Sequence, residues 1–346
     1  MFQLPQVYYH DILRLTLAFL LSAIISLWII PILARAAKKH SIVDKPSTPL
    51  KNQKEPVPYF GGLGVFIAFL ASVSITFDFS KSVLGVIFGS TLILLLGLID
   101  DLGVLAPLVK LSGQILVAIV LIKSGIHIDI VFLPKWLDYL LTLFWVVGIV
   151  NAFNIIDIMD GLAGSVALVA AIANGFFAFW NGETMIALLS LALGGGVLGF
   201  LKYNWRPASI YLGDTGSMFI GFILAALAMN NTYTAVNDLA LLSPVLILGV
   251  PIFDTTLVTI LRIRNGRSPM FGSPDHFAIR LAKIGFSPKK VALLAALVTL
   301  LLSVVAVIIS FIPFKATLIL LAAVLITAFI SAYFLARIPI EYPKNL

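Results

Sequence analysis

The chain has 346 residues, of which 60% are hydrophobic and only 11% charged, and its mean hydropathy is +1.08. That balance excludes an ordinary soluble domain and implies an all-α integral membrane protein, a single polytopic domain over residues 1–346. A net charge of +7 would suggest a nucleic-acid partner in a soluble protein; in a membrane protein it asks which side carries it, and no nucleic-acid partner is expected.

A bilayer core takes roughly 20 apolar residues per helix, so the sequence predicts ten to eleven spans. In chain order they fall at 12–33, 59–77, 81–99, 108–126, 136–152, 161–180, 184–201, 215–230, 239–261, 289–312 and 315–336. The first lacks a basic start and a small-residue cleavage site and reads as a permanent helix rather than a signal peptide. Gly194, Gly195 and Gly196 would permit close helix packing. Pro244, Gly249 and Pro251 predict a kinked or broken ninth span. No internal repeat is evident. Counting Lys and Arg in alternate loops places eighteen of the 23 on one side, including Lys45, Lys51, Lys54 and Lys344. The other side has Arg14, Lys81, Lys123, Lys135 and Lys315. By the positive-inside rule the basic side is cytoplasmic, with the N-terminus outside and the C-terminus inside a cell (inner) membrane. The loops on that side are about 34–58, 100–110, 151–160, 202–215 and 262–288.

The acids gather on the same side. Asp100 and Asp101 end the third span, Asp157 and Asp160 lie between the fifth and sixth, Asp214 precedes the eighth, and Asp254 and Asp275 flank loop 262–288. An isolated Asp at the bilayer centre costs about 2.5–3.5 kcal/mol, so acids at helix ends imply water, a cation or function. In IVNAFNIIDIMDGLAG the residues Asn154, Asp157 and Asp160 follow at three-residue steps and would share one helix face. In YLGDTGS, Gly213 and Gly216 would let backbone approach a phosphate, and a helix N-terminus would offer its N–H groups to the anion. With no cysteine in the chain, a metal must be held by oxygen or by the four histidines; carboxylates, amides and hydroxyls suit Mg²⁺ bridging a phosphate. A secondary transporter is the non-enzymatic alternative, but transport sites sit near the midplane between repeats.

Taken together, VPYFGGLGVF, GLIDDLGV followed by Lys110, NAFNIIDIMDGLAG, NWRPASIYLGDTGS, PIFDTTLVTILRIRNG and DHFAIRL resemble the polyprenyl-phosphate N-acetylhexosamine-1-phosphate transferase family from about residue 44 to 283. The resemblance implies that a membrane polyprenyl phosphate attacks the β-phosphate of a UDP-linked amino sugar. The products are the polyprenyl-diphospho-sugar and UMP, with Mg²⁺ as cofactor, Mn²⁺ as its substitute and a homodimer as an open option. It implies Asp214 and Asn154 as metal ligands and Asp100, Asp101 and Asp157 as catalytic residues. Either Asp100 or Asp101 would act as base, although a lipid phosphate with a second pKa near the roughly 6 of phosphorylated side chains needs little proton removal; a covalent aspartyl-phosphate intermediate is the alternative route. Lys110, Asn154, Asp160, Asn204, Tyr211, Arg267, His276 and Arg280 match substrate-binding positions, with the Tyr211 ring expected to stack on uracil. The chain departs from the pattern in two places: Ile158 stands where a glycine is usual, and Ala278 and Ile279 stand where two further histidines would. The N-acetylglucosaminyl type is favoured over the phospho-N-acetylmuramoyl-pentapeptide type, whose His-rich run is absent. Asp157-x-x-Asp160-Gly161 also resembles the CDP-alcohol phosphotransferases, but their two further aspartates are missing.

Overall fold

A computed structural model describes residues 9–44, 56–76, 80–103, 105–231, 233, 237–268 and 273–340. Lys45, Lys51, Lys54 and Lys344 lie outside the described residues. Every predicted span corresponds to a helix: α1 (Tyr9–Lys39), α2 (Gly61–Thr76), α3 (Lys81–Leu102), α4 (Pro107–Lys123), α5 (Lys135–Ile156), α6 (Leu162–Trp180), α7 (Thr184–Asn204) and α8 (Gly213–Met229). They continue with a 3-10 turn (Asp238–Leu242), α9 (Ser243–Ile247), α10 (Gly249–Arg264), α12 (Pro288–Ile309) and α13 (Phe314–Ala336). Loop 262–288 contains a further short helix, α11 (Phe277–Lys283). A two-residue antiparallel pair, β1 (Val43–Asp44) with β2 (Val57–Pro58), closes the loop after α1.

By length and composition seven of the helices can cross a membrane, or eight when the bent ninth span is counted. The predicted ten to eleven spans exceed this because α2 and α8 are apolar but only 16 and 17 residues long, and α4 has 17. The expected break in the ninth span is present as a 75° bend between Ile247 and Gly249, at the place where Pro244 and Pro251 interrupt regular packing. Other ends follow local chemistry: the Ser80 hydroxyl accepts from the Val83 N–H at 3.3 Å to start α3, and Ser287 with Pro288 behind it starts α12.

The helix that organises the rest is α8. All fourteen residues from Thr215 to Ala228 are buried, as expected for a helix apolar on every side. It packs against α2, α3 and α5, and glycines permit the approach. A Cβ on Gly62 of α2 would collide with the Gly216 backbone, and one on Gly97 of α3 would lie 2.5 Å from the Asp214 carbonyl oxygen. Phe219 is wedged against Phe66 and Phe69, with ring centroids 5.4 and 5.7 Å apart. Around this core α1 packs on α7 and α2, and α6 on α7 and α12.

At the basic end a buried ionic network ties the last helices together. Arg280 of α11 donates to Asp275 Oδ1 at 2.8 Å and to the carbonyls of Leu335 and Ile338 at 3.1 and 2.7 Å. It thereby places a cation at the C-terminal end of α13, where Leu335 lies in the last turn and Ile338 follows the helix. The side chain of Asp254 accepts from the Phe277 N–H at 2.9 Å, with His276 Nδ1 2.8 Å away.

Two stability outcomes follow. Gly62→Ala should overpack the α2–α8 crossing by about 1–3 kcal/mol or more, read as loss of the monodisperse peak and a lower melting temperature in detergent. Arg280→Ala should take the guanidinium away from buried Asp275 and cost about 3–5 kcal/mol, whereas Lys289→Ala, at an exposed position of α12, should leave the melting temperature unchanged.

Candidate active site

At its basic end α3 finishes on Asp100 and Asp101, and the 100° step between adjacent helical residues sends the two carboxylates to different neighbours. Asp101 faces α8. Its Oδ1 accepts from the Asp214 N–H at 2.8 Å, and its Oδ2 accepts from the Thr215 N–H at 3.0 Å and the Thr215 hydroxyl at 2.6 Å. The first turn of a buried helix leaves N–H groups without partners, and Asp101 supplies them. Gly213, at φ +74°, leads into this turn, and a Cβ there would lie 2.6 Å from Asp101 Oδ2. The expectation that these N–H groups await a phosphate is therefore corrected: those of Asp214 and Thr215 are held by the chain's own carboxylate.

Asp100 faces α4. Its Oδ1 accepts from the Leu105 N–H at 2.8 Å, and its Oδ2 lies 2.8 Å from Lys110 Nζ. The same ammonium reaches Asp214 Oδ2 at 2.6 Å and Asn154 Oδ1 at 3.1 Å. Asn154 in turn donates through Nδ2 to Asp214 Oδ1 at 2.6 Å and to the Ser217 hydroxyl at 3.0 Å. Four helices, α3, α4, α5 and α8, thus deliver Asp100, Lys110, Asn154 and Asp214 to one point.

One turn deeper stands a feature that the sequence reading missed. Gln114 and Asn151 exchange amide hydrogen bonds at 3.2 and 2.7 Å, locking α4 to α5. Gln114 lies four residues after Lys110 and Asn151 three before Asn154, the helical steps that stack side chains on one face, so their polarity inside apolar runs was the available signal.

Asn154, Asp157 and Asp160 do not share a helix face as the spacing suggested. Helix α5 stops at Ile156, Asp157 caps it at ψ 54°, and Gly161 turns the chain at φ +76° into α6. Asp160 therefore points elsewhere, accepting from the Ala208 N–H at 3.2 Å and lying 3.4 Å from Arg206. Asn204, which is buried, clamps the turn: its Oδ1 accepts from the Gly161 N–H at 2.8 Å and its Nδ2 donates to the Ile210 carbonyl at 2.9 Å. Tyr211 is held through its backbone, which donates to the Pro58 carbonyl at 2.9 Å and accepts from the Gly61 N–H at 3.0 Å. Its ring centroid stands 6.5 Å from that of Tyr59, and burial, with the charges of Asp160 and Asp44 behind it, pushes its hydroxyl up to about 12. Asp157 itself accepts no hydrogen bond from another described residue. Loss of solvation, followed by the nearby charges of Asp214, Asp101 and Asp160, pushes its carboxyl up to about 8.

The remaining predicted residues lie apart from this point. His276 and Arg280 belong to the buried network with Asp254 and Asp275 described above, and Arg267 follows the end of α10, its N–H donating to the Arg262 carbonyl at 2.8 Å.

Among the described residues no three acids or histidines are assembled as a metal group. Mg²⁺, however, is usually held by one or two carboxylates with substrate phosphates completing its shell. The oxygens of Asp214, Asp100 and Asn154, converging on a single cationic nitrogen, are a donor set of that kind.

The description "Glycosyl transferase family 4" matches residues 83–232, a stretch that runs from α3 to just beyond α8. The chain is 35% identical over 305 residues to a probable undecaprenyl-phosphate N-acetylglucosaminyl 1-phosphate transferase of Bacillus subtilis, covering 86% of this chain and 85% of that one. It is 34% identical over 278 residues to a decaprenyl-phosphate N-acetylglucosaminephosphotransferase of Mycolicibacterium smegmatis, covering 69% and 68%. With an undecaprenyl-phosphate alpha-N-acetylglucosaminyl 1-phosphate transferase of Escherichia coli it shares 25% identity over 317 residues, covering 88% and 86%. A glycine-fitted central helix, an aspartate pair at the end of α3 and relatives alike along most of their length have one explanation: the chain belongs to glycosyl transferase family 4, the polyprenyl-phosphate N-acetylhexosamine-1-phosphate transferases that its ordered motifs resemble.

Proposed function

We propose that this protein transfers a sugar 1-phosphate, N-acetylglucosamine 1-phosphate first among the candidates, from a UDP-sugar to a polyprenyl phosphate at the cytoplasmic face of the cell membrane. In the reaction a lipid phosphate oxygen bonds to the β-phosphorus of the nucleotide sugar, the bond from that phosphorus to the bridging oxygen breaks, and UMP leaves. The observation that carries this reading is the convergence of Asp100, Lys110, Asn154 and Asp214 at the basic end of the bundle. There a lipid phosphate anchored in the bilayer can meet a water-soluble nucleotide. The same end holds most of the described Lys and Arg residues, which supports a cytoplasmic site with the N-terminus outside and the C-terminus inside.

Asp214 and Asn154 would hold Mg²⁺, with Mn²⁺ as its substitute, and the ion would neutralise charge on the diphosphate when bound. The chain's own groups divide the remaining work. Asp101 holds the first turn of α8 and so aims Asp214. Asp157, which accepts no hydrogen bond from another described residue and whose carboxyl is pushed up to about 8 by burial, has the properties of a base for a singly protonated lipid phosphate. Asp160 and Arg206 on one side and Tyr211 on the other frame the loop between α7 and α8, where a uridine ring would stack on Tyr211.

Purified protein given polyprenyl phosphate and a panel of UDP-sugars should release UMP and form one diphospholipid, identified by mass; no lipid product with any sugar would refute the assignment. Asp214→Asn should lower turnover by more than about 100-fold while the protein keeps its melting temperature within a few degrees. The raised Asp157 carboxyl sets a pH sign. The folded chain holds a proton that the unfolded chain releases between about pH 4 and 8, so this group's contribution to stability declines as pH rises through that window. Asp157→Asn should therefore flatten the fall of melting temperature between pH 5 and 8, and it should also depress transfer.

A further inference from the structure

A lysine ammonium has three N–H donors and accepts nothing. At Lys110 all three find oxygen: Asp100 Oδ2 at 2.8 Å, Asp214 Oδ2 at 2.6 Å and Asn154 Oδ1 at 3.1 Å. The side chain is largely buried, 16% exposed, as is that of Asp100 at 9%. No donor is left over for a substrate phosphate, so a lysine assigned to phosphate binding is already fully occupied. The place it occupies is the one that a divalent ion would need. Two of the three oxygens belong to the residues that would hold the ion, and the ammonium stands at 2.6–3.1 Å, whereas Mg²⁺ draws its oxygens to about 2.0–2.1 Å.

We infer that the Lys110 ammonium is the resident cation of this oxygen cage in the metal-free protein and that a divalent ion entering at Asp214 and Asn154 displaces it. The inference rests on the reading of the site given above. Two carboxylates left facing each other in a half-buried site repel strongly, and the ammonium removes that repulsion. Once a divalent ion neutralises Asp214, the ammonium meets a like charge at short range and loses two of its three acceptors. Its four-carbon stem lets the charge swing while α4 stays fixed, and the Gln114–Asn151 amide pair one turn deeper keeps α4 and α5 in register. The released ammonium is then free to bind the incoming phosphate, so one side chain protects the empty site and serves the loaded one.

The exchange is tested on the detergent-solubilised full chain with Mn²⁺ alone and Mg²⁺ alone, by calorimetry and by the electron-spin signal of free Mn²⁺. Lys110→Met, of similar length and uncharged, should bind either ion with a Kd at least about tenfold lower than wild type, since a competing charge is gone. Without metal it should melt below wild type, and saturating Mn²⁺ should raise its melting temperature by more degrees than it raises that of wild type. Equal or weaker ion binding by Lys110→Met would overturn the exchange and leave the transferase reading intact. Absence of ion binding in both proteins would overturn the exchange together with the proposed cofactor. If Lys110→Met does not fold, wild-type protein decides: reductive methylation of Lys110, followed by mass spectrometry, should increase when Mn²⁺ is added, and unchanged or reduced labelling would overturn the inference.

Discussion

The first turn of a helix buried along fourteen residues must be satisfied from within the protein, and here one carboxylate does it. Asp101 takes the N–H groups of Asp214 and Thr215 and the hydroxyl of Thr215. An anion at a helix N-terminus is favoured both by the unpaired donors and by the helix dipole. Everything functional at the basic end depends on that contact, because it fixes the orientation of Asp214 relative to α3. With the orientation set, the second carboxylate of the pair is directed toward α4 instead, and the two neighbours in sequence acquire separate tasks.

Polarity in this protein is placed economically. Within the bundle, polar side chains serve mainly to lock helices, as Gln114 with Asn151 and as Ser26, whose hydroxyl donates to the Gly196 carbonyl at 2.7 Å. Most charge lies near helix ends, although Asp254 sits within α10, and two networks stand out at the basic end. One, built from Asp254, Asp275, His276 and Arg280, is buried, and it fastens α11 to α10 and α13. The other, built from Asp100, Lys110, Asn154 and Asp214, is less buried, with Asp214 33% exposed, and has beside it Asp157, which accepts no hydrogen bond from another described residue. The two networks thus differ in burial as well as in the helices that they join.

Much of this was legible in the sequence. Apolar runs gave the position of each long helix, Pro244 with Gly249 and Pro251 gave the break in the ninth span, and the family motifs pointed to Asp100, Lys110, Asn154 and Asp214. The failures have physical causes. Helices α2 and α8 stand where spans were predicted but have only 16 and 17 residues, and glycines at Gly62 and Gly97 bring α8 close against α2 and α3. Three-residue spacing suggested a shared face for Asn154, Asp157 and Asp160, but Gly161 in a left-handed turn ends that geometry first. The GDTGS segment read as an open anion site because its partner, Asp101, is 113 residues away and pairing at that distance leaves no local signature. His276 and Arg280, which the motifs placed at substrate-binding positions, stand in a buried network with Asp254 and Asp275.

Oxygen atoms from α3, α5 and α8 surround one cation position, now held by the Lys110 ammonium. The measurement that tests it most directly is an experimental structure with Mn²⁺ and a UDP-sugar, located by the anomalous scattering of the metal. The account predicts a single peak within bonding distance of Asp214 and Asn154, with the Lys110 ammonium withdrawn from between them. A peak away from Asp214, or one beside an unmoved Lys110, would contradict it.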